Sequence, residues 1–320
     1  MRIGTTSAVT LATIATMACG AIRTVHVPSV PPAPEVLTQL WLDPGETPRD
    51  LFWGMGGQER APDPKAVYTM QARDDAGFSA SYDVTGPDGL EWSAKIGPEA
   101  QTEVVVSRIL WGLGYHQPPV YYLPSWNVDL GHGEMKRESE ARFRPKLPQL
   151  KHLKEYWHWA DNQFLGAREL RGLLVTLLML NSTDLKDDNN SIYELSQPWD
   201  GATRWFLVRD VGAALGETGK LYPRRNWLDG FERHAFLKDV SDHHIRFDYE
   251  GRHPELLTMI EPGDIQWAAR RMDRLTDQQW RDAFRAANYN DADAGRYIAR
   301  IKEKIADGLA LRVDRRVATD

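Results

Sequence analysis

The sequence changes its hydrophobic period at Gly97, and this change limits the folds open to the chain. Before it, residues 66–97 contain three short runs of strand composition, separated by turn residues. After it, apolar residues recur three and four positions apart from Glu99 to Leu113, which is the spacing of one helical face. We therefore predict a small β-rich region that carries one helix.

From about residue 150 the pattern is mainly helical. Residues 164–180 are strongly apolar, but charged side chains interrupt them, which predicts a core helix and not a membrane span. A polar loop follows at 181–190, and two short strands lie between 191 and 208. A capping box at 276–279 begins one of the later helices. The predicted fold class is α+β, with a small β-rich lobe and a larger, mainly helical lobe.

The N-terminus is typical of an export signal. A basic start at Arg2 precedes a short apolar core, which ends in small residues and in Cys19, the single cysteine of the chain. The pattern resembles a bacterial lipoprotein cleavage site, so we expect an exported protein that meets the membrane only through a lipid on Cys19. A plain secretory signal, or a cytoplasmic protein, is the alternative. The predicted organisation is a signal (1–19), a proline-rich tether outside the fold (20–45), a β-rich lobe (46–125), a helical lobe (126–312) and a tail (313–320).

The charge balance argues against a nucleic-acid partner. Lys and Arg number 39 against 45 Asp and Glu, so the formal net charge is −6, whereas nucleic-acid-binding domains usually carry a basic excess. The single cysteine excludes an internal disulfide framework and a cysteine-based zinc site. Function must therefore be inferred from short motifs.

Two motifs lie at the junction between the third predicted strand and the helix that follows it. Lys95 lies at the end of the third strand run, and the next helix carries Glu99 and Glu103, four positions apart and so on one face. Taken alone, each of these residues is most simply a solvated surface side chain. Their order, lysine on a strand and glutamate on the following helix, makes them informative as a set.

Two further motifs lie in the helical half. Asp184 and Asn189 stand five positions apart in the polar loop, and Asp210 follows the predicted hairpin in the sequence Asp-Val-Gly. This is the spacing of the catalytic loop and of the metal-binding Asp-x-Gly of kinases. A solvated turn is the alternative for each motif alone, and the oxygen-rich loop is also compatible with a calcium site.

In this order the motifs resemble the protein-kinase-like superfamily, over roughly residues 50–310. They are more similar to its atypical branches, such as the HipA-type toxin kinases and the phosphoinositide kinases, than to ordinary protein kinases. The stretches 99–108 and 111–119 also resemble an uncharacterised family of exported bacterial proteins. The resemblance implies a two-lobed kinase-like fold that binds ATP, or another nucleotide, with Mg²⁺ or Mn²⁺.

The resemblance also implies a catalytic role for three residues. Lys95 would contact the phosphates of the nucleotide, Asp184 would accept the proton of the attacking hydroxyl, and Lys186 would neutralise the phosphate in transfer. The acceptor substrate is not identified by any motif.

Other residues would hold the cofactor. Glu103 or Glu99 would position Lys95 through an ion pair, and the turn that contains Gly77 and Ser79 would close over the phosphates. The metal would be held by Asn189 and Asp210, and the backbone of 118–123 would meet the adenine.

Three classes of function stay open at this point. The first is a kinase-like phosphotransferase acting on an unknown acceptor, with nucleotidyl transfer as a variant. The second is a non-catalytic envelope binding protein, or pseudokinase, on the same scaffold. A calcium-stabilised envelope module is a third alternative.

Overall fold

A seven-stranded sheet makes up most of the first half of the chain in the computed structural model, which describes residues 25–75, 79–219, 224–241 and 244–311. Its order is β4-β7-β3-β2-β1-β5-β6, a three-stranded sheet has the order β10-β9-β8, and β11 pairs with β12. The strands are β1 (Val67–Asp74), β2 (Ser81–Thr85), β3 (Glu91–Ile96), β4 (Tyr121–Leu123), β5 (Trp126–Asp129), β6 (Met135–Glu138), β7 (Ala141–Pro145), β8 (Leu150–His152), β9 (Asn190–Trp199), β10 (Ala202–Val208), β11 (Leu237–Ser241) and β12 (His244–Phe247).

Seven α-helices complete the described part of the chain. They are α1 (Pro34–Leu37), α2 (Glu99–Gly112), α3 (Arg168–Met179), α4 (Leu228–Arg233), α5 (Pro262–Asp273), α6 (Asp277–Arg285) and α7 (Asp291–Ala310). The predicted α+β class is therefore confirmed. The predicted capping box is present at α6, where Thr276 Oγ1 accepts a hydrogen bond from the backbone N–H of Gln279.

Strand pairing extends the β-rich region beyond its predicted end. Strands β5, β6 and β7 belong to the same sheet as the earlier strands, so the predicted lobe boundary at residue 125 falls inside this sheet. The sequence pattern of β7 predicted a strand only weakly, because Ala-Arg-Phe-Arg-Pro contains two charged residues. All five positions are nevertheless buried. Pairing with β3 and β4, which are distant in sequence, is what makes this segment a strand.

The same topology corrects the expected adenine contact. Strand β7 lies between β4 and the lysine-bearing β3, so the segment 118–123 is not the neighbour of Lys95. The strand that pairs with β3 on this side is β7, and the segment that follows it begins only after Pro145. A backbone contact from 118–123 to a base next to Lys95 is therefore not supported.

Residues of the predicted tether are part of the fold. The side chain of Leu40 is 1% exposed and belongs to the main hydrophobic core. The indole Nε1 of Trp41 donates to the carbonyl of Leu113, 2.8 Å away, and the backbone N–H of Phe206 donates to the carbonyl of Gln39. The proline content of this stretch suggested an extended tether, but its apolar side chains reach the core.

Sequence features upstream of residue 25 lie outside the described residues. These include the predicted signal and Cys19, so lipid attachment stays a prediction. Within the described ranges, none of the helices combines the length and the apolar character that crossing a bilayer requires.

Candidate active site

Lys95, at the end of β3, lies among three carboxylates, two from the following helix α2 and one from the Asp-Val-Gly motif. Its Nζ is 2.9 Å from Glu99 Oε2 and 3.8 Å from Glu103 Oε2, both on α2. It also donates to both carboxylate oxygens of Asp210, at 3.1 and 3.0 Å. The structure therefore brings together four of the residues that the motif order singled out.

The charges of this cluster stabilise one another. Burial opposes the charge of the Lys95 ammonium, but Glu103, Asp210 and Glu99 together hold its pKa above the ordinary lysine value. For Asp210, burial acts to raise the pKa, and Lys95, with Arg142 and Arg144, overcomes this effect and lowers it. Both groups are therefore ionised at neutral pH.

A close contact with α2 positions Asp210. The carbonyl of Gly212 accepts a 2.6 Å hydrogen bond from Thr102 Oγ1, in the first turns of the helix. A Cβ at Gly212 would lie 2.7 Å from the Cβ of Glu99, so only glycine fits there. This explains the glycine of the Asp-Val-Gly motif in physical terms and places Asp210 beside Lys95.

Asp184 lies in a second group of charges, after the end of α3. Its Oδ2 is 2.9 Å from Lys186 Nζ, and its Oδ1 is 3.0 Å from Arg252 Nε. The side chain of Asp184 is 18% exposed, so it keeps access to solvent. The sequence did not indicate Arg252, which lies far along the chain in a segment without a recognisable motif.

Asn189 connects the two groups. Its side-chain Nδ2 donates to the carbonyl of Asp184 at 2.6 Å, and its own carbonyl accepts from the backbone N–H groups of Arg209 and Asp210. The predicted metal-binding pair, Asn189 and Asp210, therefore lies on two adjacent segments. An amide oxygen and a carboxylate are the hard donors that Mg²⁺ or Mn²⁺ prefers, so the residues present fit such a cation.

The alternative of a calcium loop is not supported. Asp187 of that loop accepts from the backbone N–H of Trp159 and lies 3.0 Å from His158, while Asn190 donates to the carbonyl of Trp157. These side chains stabilise the neighbouring segment and do not converge on one point. Among the described residues, no three His, Cys, Asp or Glu side chains form a group that could hold a metal ion by themselves, so a cation at Asn189 and Asp210 would also need phosphate oxygens of a donor.

A small cavity of about 190 Å³ opens beside Lys95. Ser79, predicted to meet the cofactor, lines it and donates to Glu99 Oε2 at 3.3 Å, whereas Gly77 lies outside the described residues. Asp184, Lys186 and Asn189 are not among the lining residues. The cavity is lined by Ser79, Ser81, Ser93, Lys95, Glu103, Arg142, Arg144, Arg209 and Asp210.

Two arginines of β7 are functional candidates that sequence reasoning missed. Arg142 Nε and Arg144 Nη2 lie 2.8 and 2.6 Å from the same oxygen, Oε1 of Glu103. Both arginines are nearly fully buried. The available signal was the Arg-x-Arg spacing, which places both side chains on one face of a strand.

Comparisons with known proteins give a structural likeness but no family. No protein-family model matches the chain, and no curated protein matches it. Among solved structures the chain is similar to the Helicobacter pylori proinflammatory kinase CtkA, with a TM-score of 0.45 and 10% sequence identity. The match covers 77% of this chain and 98% of that one. Function is therefore inferred from the side chains of the site.

Proposed function

We propose that the protein is a kinase-like phosphotransferase that uses Mg²⁺ or Mn²⁺ and acts on an acceptor hydroxyl. The observation that carries the proposal is the meeting of Lys95 with Glu99, Glu103 and Asp210, beside a cavity that Lys95, Glu103 and Asp210 line. Phosphoryl transfer depends on positioning and on charge neutralisation, and this arrangement supplies both. ATP is the first donor to test. We keep export and lipid attachment at Cys19 as part of the proposal.

Each group in the site has a defined task in this reaction. Lys95, which its carboxylate partners keep charged, binds the phosphate oxygens of the donor. Asp184 takes the proton of the acceptor hydroxyl as its oxygen bonds to the γ-phosphorus. The bond from that phosphorus to the bridging oxygen breaks, and ADP leaves with the electron pair. Lys186 lies next to Asp184 and offsets negative charge during transfer.

Asn189 and Asp210 are the residues that would hold the divalent cation. The cation would neutralise negative charge on the phosphates of the donor. Both oxygens of Asp210 accept hydrogen bonds from Lys95, so Asp210 would give up at least one of these bonds to hold a cation. The Asp210 side chain is 43% exposed, which leaves it accessible for that exchange.

The test measures binding and turnover in the full chain. ATP with Mg²⁺ or Mn²⁺ should raise the thermal midpoint, since a ligand at a hundred times its dissociation constant stabilises the folded state by about 2.7 kcal/mol. Lys95→Met and Asp210→Asn should lose that shift. Asp184→Asn should keep it but form ADP about 10²- to 10⁴-fold more slowly.

Matched controls separate the site from general charge effects. Lys151→Met removes an exposed lysine, and Asp188→Asn removes an exposed aspartate from the same loop as Asp184. Both should behave as the wild type. No stabilisation by millimolar ATP with either metal would contradict ATP as the donor. Stabilisation without ADP formation in the wild type would favour the non-catalytic binding protein.

A further inference from the structure

The cavity beside Lys95 contains more positive than negative side chains. Four cations line it, Lys95, Arg142, Arg144 and Arg209, against the two carboxylates of Glu103 and Asp210. Buried charge is costly unless it is paired. Glu99, the third carboxylate near Lys95, is not among the lining residues and is also paired with Arg225, 2.9 Å away, so counting this pair leaves the difference unchanged. The surplus of two cations therefore calls for an anion that the protein does not itself supply.

The register of the sheet creates this surplus. Ser81 of β2 pairs with Lys95 of β3, which pairs with Arg142 of β7, so the three lie in one row across the strands. Ser93 and Arg144 form the next pair on the same face, because side chains alternate along each strand.

The opposite face of these strands holds the apolar side chains. Tyr82, Ala94 and Phe143 occupy the alternate positions and are buried together in the core of the sheet. The cavity is thus polar because polar and apolar side chains alternate along all three strands, and not because of a few isolated polar residues.

The arginines have too few acidic partners. Arg142 and Arg144 share a single oxygen of Glu103, and the side chain of Arg209 donates to the hydroxyl of Tyr193. Burial lowers the pKa of Arg144 to about 9, and repulsion from Arg209 and Arg142 adds to this effect. An anion in the cavity would relieve that repulsion.

The cavity does not suit a nucleobase. Among the described residues that line it there is no apolar or aromatic side chain. Its volume of about 190 Å³ is also below the 300–1,000 Å³ of typical pockets for drug-sized ligands, which are mainly apolar. A chain of phosphate groups matches both the charge and the size, because arginine and lysine bind phosphate through charge-assisted hydrogen bonds.

We propose that this cavity binds a condensed inorganic phosphate, pyrophosphate or triphosphate, and recognises the phosphate chain of a donor without contacts to a base. The inference rests on the proposed phosphotransferase function, which it refines by naming the donor class. A donor of this class undergoes the same step as ATP: an anhydride P–O bond breaks, and the shortened phosphate chain leaves with the electron pair.

The experiment is a calorimetric titration of the full chain, with Mg²⁺ present, against tripolyphosphate, pyrophosphate, ATP, adenosine and sulfate. We expect tripolyphosphate to bind within about threefold of ATP, with no binding of adenosine and weak binding of sulfate. Binding of ATP about tenfold or more tighter than tripolyphosphate would show that a base is recognised and would overturn the inference. Failure of both polyphosphates to bind would overturn it as well.

Turnover measured in parallel separates the two proposals. Equal binding of ATP and tripolyphosphate without phosphoryl transfer would support this inference and contradict the proposed function. Phosphoryl transfer from ATP alone, with no binding of polyphosphate, would support the proposed function and contradict this inference.

A variant pair tests the role of the arginines. Arg209→Gln should weaken tripolyphosphate binding about tenfold, since it removes one charge-assisted contact. Arg204→Gln is the matched control, because Arg204 lies on the preceding strand β10 and is half exposed. Equal affinity in the two variants would contradict the role of Arg209. Arg209 is preferred over Arg144, whose removal leaves Glu103 with one fewer partner in the interior.

Discussion

At the scale of single residues, Lys95 has three carboxylate partners that differ in burial. The Glu103 side chain is 1% exposed and that of Glu99 is 7% exposed, while that of Asp210 is 43% exposed. Removing a buried partner leaves an uncompensated charge, whereas water can replace a partner at the surface. Asp210 is therefore the carboxylate that a bound phosphate or cation displaces from Lys95 most easily, and Glu103 is the one that keeps Lys95 in place.

The prediction at this scale concerns His116, because burial lowers the pKa of its imidazole to about 4. Its ring stacks on Trp205 with the centroids 4.8 Å apart, and its Nε2 lies 2.7 Å from the carbonyl of Thr38. The unfolded chain binds a proton on this residue near pH 6.5, whereas the folded chain stays neutral there until about pH 4. Folding stability should therefore fall as the pH drops from 6.5 to 4, by about 3 kcal/mol from this group.

Urea unfolding at a series of pH values measures this effect. The loss between pH 6.5 and 4 should be smaller in His116→Gln than in the wild type. His26→Gln, at an exposed position, serves as the control and should follow the wild type. Parallel pH curves for the wild type and His116→Gln would show that His116 is not responsible.

At the scale of elements, the packing of the Asp-Val-Gly turn on α2 determines the site. Gly212→Ala would place a Cβ 2.7 Å from the Cβ of Glu99, so the turn and the helix must separate. We expect a loss of about 1–3 kcal/mol in the free energy of unfolding. We also expect weaker stabilisation by ligand, because Asp210 moves away from Lys95.

A second glycine gives the matched control for this change. Gly263, in the first turn of α5, has no atom within 4 Å of the position that a Cβ would take, so Gly263→Ala should be neutral or slightly stabilising. Thermal unfolding with and without ATP or tripolyphosphate measures both properties. Equal stability of the two alanine variants would mean that the turn tolerates the separation.

At the scale of the whole molecule, the segment before the sheet contributes to the main core. Leu40→Ala removes a side chain that is 1% exposed, and we expect a loss of about 2–5 kcal/mol in the free energy of unfolding. Val30→Ala, where the side chain is 74% exposed, is the control and should have little effect. Chemical denaturation of both variants measures the two changes in the free energy of unfolding. If Leu40→Ala were as stable as Val30→Ala, the segment would behave as a tether and not as part of the core.

Local pattern was sufficient for much of the fold and for part of the site. The strands β2 and β3, the helix α2 and the capping box of α6 follow from periodicity and from capping residues, which act between near neighbours. The order of the motifs along the chain was sufficient to select Lys95 and Asp210 as candidate site residues, and the structure places them in direct contact. Gly77, chosen from the turn before β2, and Cys19, chosen from the export pattern, lie outside the described residues.

The tertiary structure alone decided which residues join these elements into a site. Strand β7 pairs with β3 although some fifty positions separate them, and only that pairing brings Arg142 and Arg144 to Glu103. Arg252 reaches Asp184 in the same non-local way. The charge of one residue and the spacing of its neighbours are properties of the sequence. Whether a charge is buried, and which opposite charge meets it, depends on strand pairing and packing between distant segments, which local pattern does not encode.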